Sequence, residues 1–351
     1  MKSNKNPYTL MFGKLPKQAI PRLGDKMKIV QQFTDTEYSE QLYIITGVRG
    51  SGKTVFMTDV SKEISQEKNW IVIELNPEAN LMEDLASKLS SENELAELFR
   101  KSKINLSFFG FGLEINGTAP ITNIETAITK MLETLKKHNK RLLVTIDEVT
   151  GNKNMREFAS AFQILIRKEL PIFLLMTGLF ENVEELQNKK NMTFLLRAPK
   201  IILAPLNISR MADSYEKSLG IERERALEMA RITKGYSFAF QVLGYFCWED
   251  DADNNSALKM FKQYLEENSY EKIWSELSPK DKEIAIGIAR SSSKKVSDIR
   301  ENLGITNNQF NPYKNRLIKK GLIGDDFGIA EFTLPLFQDF ILEKVGYQIR
   351  I

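Results

Sequence analysis

The sequence holds one cysteine and one histidine. Cys247 has no internal disulfide partner, and it lies in an apolar helical run where a buried structural thiol is expected. A reducing compartment suits such a chain. His138 stands at the polar end of a predicted helix, the position of a surface residue. With so few ligands and bases, a serine–histidine–aspartate triad and a zinc centre are nearly excluded. Long apolar runs are missing too. No stretch approaches the ~18 apolar residues that a spanning helix needs. The N-terminus, Met1-Lys2-Ser3-Asn4, lacks the apolar core of a signal peptide. The expectation is a cytoplasmic protein that does not use the membrane. Nor does one sign of charge dominate. Lys and Arg number 49 against 46 Asp and Glu, too even for a chain that coats nucleic acid over its whole surface. A local basic patch remains compatible with that balance. No internal repeat or low-complexity stretch stands out.

What is present begins with length. At 351 residues, two or three domains are expected. A leader (Asn6-Pro7-Tyr8, Phe12-Gly13, Pro16, Arg22) precedes a helix and the first apolar run, Leu42–Thr46. Further short apolar runs follow at 70–75, 142–146, 172–176 and 200–203, with helical patterns between them. Apolar strands alternating with helices predict a five-stranded parallel sheet covered by helices on both faces. Between Ile104 and Ile115, alternating Phe109, Phe111, Leu113 and Ile115 predict a β-hairpin, packed on its own domain or offered to a partner. After Pro205 the strands stop and helices follow. From Leu277 the pattern is three short helices and a hairpin, the winged-helix order, with Asn311-Pro312 read as the start of the third helix. The expected boundaries are a sheet-containing core over 1–205, a helical segment over 206–270 and a winged-helix domain over 271–351.

The chemistry is concentrated in Gly47-Val48-Arg49-Gly50-Ser51-Gly52-Lys53-Thr54, the Walker A pattern, set between a predicted strand and a predicted helix. A loop of backbone amides opening onto a helix N-terminus suits the phosphates of ATP or ADP. Gly47, Gly50, Ser51, Gly52, Lys53, Thr54 and the following Val55 are the candidate nucleotide contacts. Lys53 would reach the β- and γ-phosphates and Thr54 would bind Mg²⁺. Strand 142–146 delivers Asp147 and Glu148, a Walker B pair, with Asp147 as the second metal contact and Glu148 as the residue that polarises water. Thr177 ends the fourth strand, where it can touch the γ-phosphate or the water, or simply close a turn. Asn76 ends the second and can restrain Glu148 or form the turn before Pro77. Arg197 precedes the fifth, where it can reach the ATP of a neighbouring copy or serve a local ion pair. A basic stretch near the C-terminus, Tyr313, Lys314, Arg316, Lys319 and Lys320 with Lys294, Lys295 and Arg300, resembles what a recognition helix presents to duplex DNA. The same face also suits a winged helix that binds proteins.

Taken together these motifs resemble the AAA+ ATPases of the origin-recognition and archaeal-ATPase type, and more nearly a bacterial, STAND-related group of them. The resemblance is carried by the leader, by Thr46–Thr54, Ile146-Asp147-Glu148-Val149, Phe194-Leu195-Leu196-Arg197-Ala198 and Gly235-Tyr236…Gln241…Gly244. Leu317–Ile323 and Phe332–Phe337 extend it to the C-terminal domain. It implies an AAA+ P-loop core, an α-helical lid closing over the nucleotide and a C-terminal winged helix. It also places Phe12 and Arg22 near the adenine and implies slow or partner-stimulated ATP hydrolysis, with self-association through Arg197. Two positions depart from the pattern. Pro21 stands where the family usually has glycine, and near Gly235 the sole cation is Lys234, where many AAA+ lids carry an arginine.

Overall fold

The structure, a computed structural model, describes residues 5–11, 16–111, 115, 117–249 and 254–346. It falls into two compact units. One holds residues 22–46 and 56–202, and the other holds the described residues up to Pro21, the loop 47–55 and residues from 203 onward.

The first unit is built on five parallel strands: β1 (Leu42–Thr46), β2 (Trp70–Leu75), β3 (Arg141–Ile146), β4 (Ile172–Gly178) and β5 (Lys200–Ile202). Their order is β2-β3-β4-β1-β5. Because side chains alternate along a strand, one set faces each way. Ile44, Val144 and Leu174 pack with helices Leu81–Ser91, Ile124–Lys137 and Lys153–Arg167. Tyr43 and Phe173 pack instead with Phe33, at ring distances of 5.5 Å and 5.1 Å, and Trp70 packs on Phe173 at 4.8 Å. Phe33 comes from helix Leu23–Thr34. β1 and β4 are buried along their whole length, which explains their unbroken apolar sequences. Three of the helices begin at asparagine caps. The side-chain oxygens of Asn80, Asn123 and Asn152 accept from Glu83, Thr126 and Met155 amides.

The expected hairpin between Ile104 and Ile115 is not found among the described residues. A single helical turn, Ser107–Phe109, stands there, and Gly112, Leu113, Glu114 and Asn116 lie outside the described residues. Buried Asn105 organises the loop. It donates to the Thr118 carbonyl at 2.7 Å and accepts from the Ser107 amide and hydroxyl. The alternating aromatics reflect Phe109 stacked on Phe111 at 5.7 Å, not a strand pair.

The second unit is largely helical. Tyr8 from the leader is buried against Tyr215 and Phe240 and bonds Ser218. Tyr8, part of the leader expected with the sheet, thus packs in this unit, while Arg22 belongs to the other. Gly244 makes room for it, since a Cβ there would lie 2.5 Å from the Tyr8 ring. The helices that follow Pro205 are Ile208–Tyr215, Arg223–Ile232, Ser237–Glu249 and Asn254–Leu265. Then come Pro279–Arg290, Val296–Leu303 and Asn307–Lys319, followed by the antiparallel pair β6 (Ile323–Asp326) and β7 (Ile329–Phe332) and helix Phe337–Lys344. A bridge between Lys295 and Ile329 adds a third short pairing. This is the helix–helix–helix–hairpin order read from the sequence, with one boundary corrected. The third helix starts at Asn307, where Thr306 and Gln309 form a capping box, and Pro312 lies inside it. No helix among the described residues is long and apolar enough to cross a membrane.

Candidate functional site

The phosphate loop leaves β1 at Thr46 and enters helix Lys53–Ile64. Gly50 and Gly52 have φ of 76° and 90°, a region that favours glycine. Lys53 folds back over the loop, its ammonium donating to the Gly47 and Val48 carbonyls at 3.1 Å each. Arg49 pairs with Glu276 at 3.0 Å. The first-turn amides of the helix point outward along its axis, where Lys53, Thr54 and Val55 stand partly exposed.

In the sheet unit, β3 ends at Ile146 and the next two residues are the acid pair. Glu148 is exposed, with a positive φ of 54°. For a non-glycine residue that conformation costs about 1–3 kcal/mol and persists where the surroundings hold it. Three contacts hold it here. The Glu148 amide donates to Asp147 Oδ1 at 3.1 Å and to Thr177 Oγ1 at 3.2 Å, and the Val149 amide donates to the Thr177 carbonyl at 2.8 Å. The Thr177 hydroxyl in turn donates to Asp147 Oδ1. Thr177 is fully buried inside β4, so it closes no turn. Its oxygen fixes the carboxylate of one acid and the backbone of the other.

Asn76 does form a turn. Its side-chain oxygen accepts from the Glu78 amide and its carbonyl from Ala79. Arg22 caps helix Leu23–Thr34 without a side-chain bond to it. Burial lowers its pKa from the usual arginine value, and Asp25 opposes the shift. Phe12 lies outside the described residues. Arg197 ends the helical turn Thr193–Arg197 and is exposed, with Leu196 and Ile202 exposed beside it in sequence. Lys234 donates to the Phe332 carbonyl at 3.0 Å, an attachment to β7.

The basic helix is more committed than its sequence suggests. Lys314 pairs with Asp325 of β6 at 2.6 Å. Arg316 pairs with Asp281 at 2.7 Å, bonds Ser278 at 2.9 Å and lies over the Tyr313 ring. Asp281 is buried and closes the capping box of helix Pro279–Arg290. Lys319 is exposed and Lys320 partly so. The β6–β7 hairpin carries Asp325, Asp326 and Glu331, and Phe327 at its tip is fully exposed. Sequence reasoning had no signal for these pairings, because Asp281 and Asp325 lie outside the basic helix.

Among solved structures, the chain is similar to a Walker-type ATPase of Pyrococcus abyssi. The identity is 16%, covering 94% of this chain and 99% of that one, with a TM-score of 0.65. It is also similar to the ORC2 protein of Aeropyrum pernix, described in complexes with ADPNP and ADP. There the identity is 14%, covering 96% and 98%, with a TM-score of 0.57. Residues 267–341 match a family model described as a domain of unknown function, DUF8462. No curated protein matches the chain. The class that fold and topology define is the AAA+ P-loop fold: a five-stranded parallel sheet flanked by helices, as in these two structures.

Proposed function

We propose that the chain binds ATP with Mg²⁺ and hydrolyses it slowly, as a switch whose C-terminal domain contacts a partner. The phosphate loop carries the reading: two positive-φ glycines, a lysine docked on the loop and a helix N-terminus behind it are what a polyphosphate requires. The donor chemistry fits the metal, since the Thr54 hydroxyl and the Asp147 carboxylate are the hard oxygens that Mg²⁺ prefers. When bound, Mg²⁺ would offset charge on the β- and γ-phosphates. Lys53 binds the same phosphates, Glu148 orients the attacking water, and Thr177 holds Asp147 and the Glu148 backbone in place. Phe12 and Arg22 are assigned to the adenine side. Arg197, exposed on a turn, is assigned to the nucleotide of a second copy. The domain boundaries that accompany this reading are 1–205, 206–270 and 271–351.

For the winged helix, the pairing of Lys314 and Arg316 with carboxylates and the acidic wing favour a protein partner over duplex DNA. The DNA reading keeps Tyr313, Lys319 and Lys320 as its contacts. Steady-state ATP hydrolysis with and without duplex DNA, with Glu148→Gln as the blank, tests both parts. Turnover absent from the wild type would remove the hydrolase reading. Turnover that rises with DNA at low salt, and a salt-sensitive duplex complex lost on reversing Lys319 and Lys320, would restore DNA as the partner.

A further inference from the structure

The phosphate loop is gripped along five successive carbonyls. The first two, of Gly47 and Val48, accept from the Lys53 ammonium. The next three are taken by three successive lid residues of the same compact unit. The Tyr236 hydroxyl donates to the Arg49 carbonyl at 2.7 Å, the Phe238 amide to the Gly50 carbonyl at 3.1 Å, and the Ser237 hydroxyl to the Ser51 carbonyl at 2.8 Å. In a planar trans peptide the C=O and the following N–H point in opposite directions. Fixing the Arg49 and Ser51 carbonyls outward therefore turns the amides that follow them, of Gly50 and Gly52, toward the inner side of the loop. That is the side on which a nest of amides receives an anion.

Tyr236 is built for this contact. It is buried, and its oxygen is bridged a second time to the Ser269 hydroxyl at 2.9 Å. Burial raises its pKa, with the Ser269 bond and Arg49 opposing, so the phenol stays a donor throughout the physiological range. The fit excludes a side chain at Gly50, because a Cβ there would stand 2.3 Å from the Tyr236 oxygen. The Walker pattern itself asks for no lid residue here, and neither hydroxyl belongs to the charged groups that ordinarily mark a phosphate site.

We propose that Tyr236 and Ser237 are positioning residues for the phosphate loop, holding the Arg49 and Ser51 carbonyls away from the anion so that the loop presents its amides to the β- and γ-phosphates. The proposal rests on the nucleotide-binding reading above. A peptide released by loss of its donor can rotate and aim a carbonyl at the phosphate, which repels it. The grip also makes the lid and the phosphate loop one responsive piece, because any lid movement acts on the loop backbone directly.

The test measures binding of ATP and of ADP, each with Mg²⁺, to the full chain. The variants are Tyr236→Phe, Ser237→Ala, Ser237→Thr and, as a phosphate-contact control, Lys53→Ala, with the melting temperature of each taken without nucleotide. Tyr236→Phe and Ser237→Ala are each expected to weaken both nucleotides about tenfold, the size of one lost hydrogen bond at an anion site. Ser237→Thr, which keeps the hydroxyl, is expected to bind within about twofold of the wild type. If Lys53→Ala loses binding while Tyr236→Phe and Ser237→Ala bind as the wild type does, the positioning role is overturned and the nucleotide reading stands. Affinity that falls only in step with melting temperature, with Ser237→Thr no better than Ser237→Ala, also overturns it in favour of a structural role. A wild type that binds neither nucleotide overturns both readings.

Discussion

Thr177 places one oxygen between two acids. It accepts from the Glu148 amide and donates to Asp147, and nothing else within β4 is polar. Thr177→Val keeps the shape and the β-branching but leaves the Glu148 amide and Asp147 short of a partner. Unfolding stability is expected to fall by about 1–3 kcal/mol. On the proposed function, ATP turnover is expected to fall about tenfold or more, since the Glu148 backbone then loses one of the three contacts that hold its positive φ. Thr177→Ser should recover most of both. Denaturant unfolding and steady-state turnover on the three proteins check this, and a Val variant with unchanged turnover would contradict it. The acid pair was legible in the sequence because an apolar run ended on two carboxylates. The duty of Thr177 was not. A threonine at the end of a run reads alike whether its hydroxyl faces a ligand or a neighbouring strand, and only the register of β3 against β4 decides.

At the level of elements, the five strands were readable because each is short and mostly apolar, and β1 and β4 are buried on both faces. Two other elements were misread for identifiable reasons. Asn311-Pro312 imitates a helix start, but Thr306 and Gln309 satisfy the first-turn groups five residues earlier. The aromatic alternation near Phe109 imitates a strand, but buried Asn105 spends its bonds on a loop. The basic third helix of the C-terminal domain carries the matching prediction. Asp281 is buried, and Arg316 is its cationic partner. Arg316→Ala is expected to destabilise the chain by roughly 1–3 kcal/mol, less than a fully buried pair because the arginine is partly exposed. A thermal melt measures this. An unchanged melting temperature would mean that Arg316 is free to serve a ligand after all.

Across the whole molecule, the unit formed by leader, phosphate loop and C-terminal residues gathers four buried tyrosines whose pKa values burial raises. Tyr8 is pushed up to about 12, Tyr236 is raised, and Tyr215 and Tyr270 stand well above the usual value. In the unfolded chain a tyrosine titrates near ~10. Above that pH the folded state holds more protons than the unfolded one, so stability falls as pH rises. Below pH ~10 the contribution is complete. Each such tyrosine then removes about 1.4 kcal/mol per pH unit, until for Tyr8 the folded value is reached. Melting temperatures from pH 8 to 11, with tyrosinate absorbance followed alongside, should show these phenols ionising chiefly on unfolding. Tyr8 bears a second expectation. Although it lies in the leader, far in sequence from its partners, Tyr8→Ala should cost about 3–5 kcal/mol by emptying a core site against Tyr215 and Phe240. A mild effect on the melt would mean that the leader is dispensable to that core. Its burial was not legible because an apolar residue in a Pro- and Gly-containing segment shows no periodicity.

The sheet has two edges, and both are poor templates for another strand. β5 is three residues long and begins at an exposed lysine. On β2 the exposed residue is Glu74, whose carbonyl already accepts from Lys88 at 2.8 Å. Short, charged edges resist runaway pairing between chains. A fibril nucleated on this sheet is therefore disfavoured from either side, and copies meeting at the exposed turn before β5 would do so through side chains, reversibly, rather than by extending the sheet.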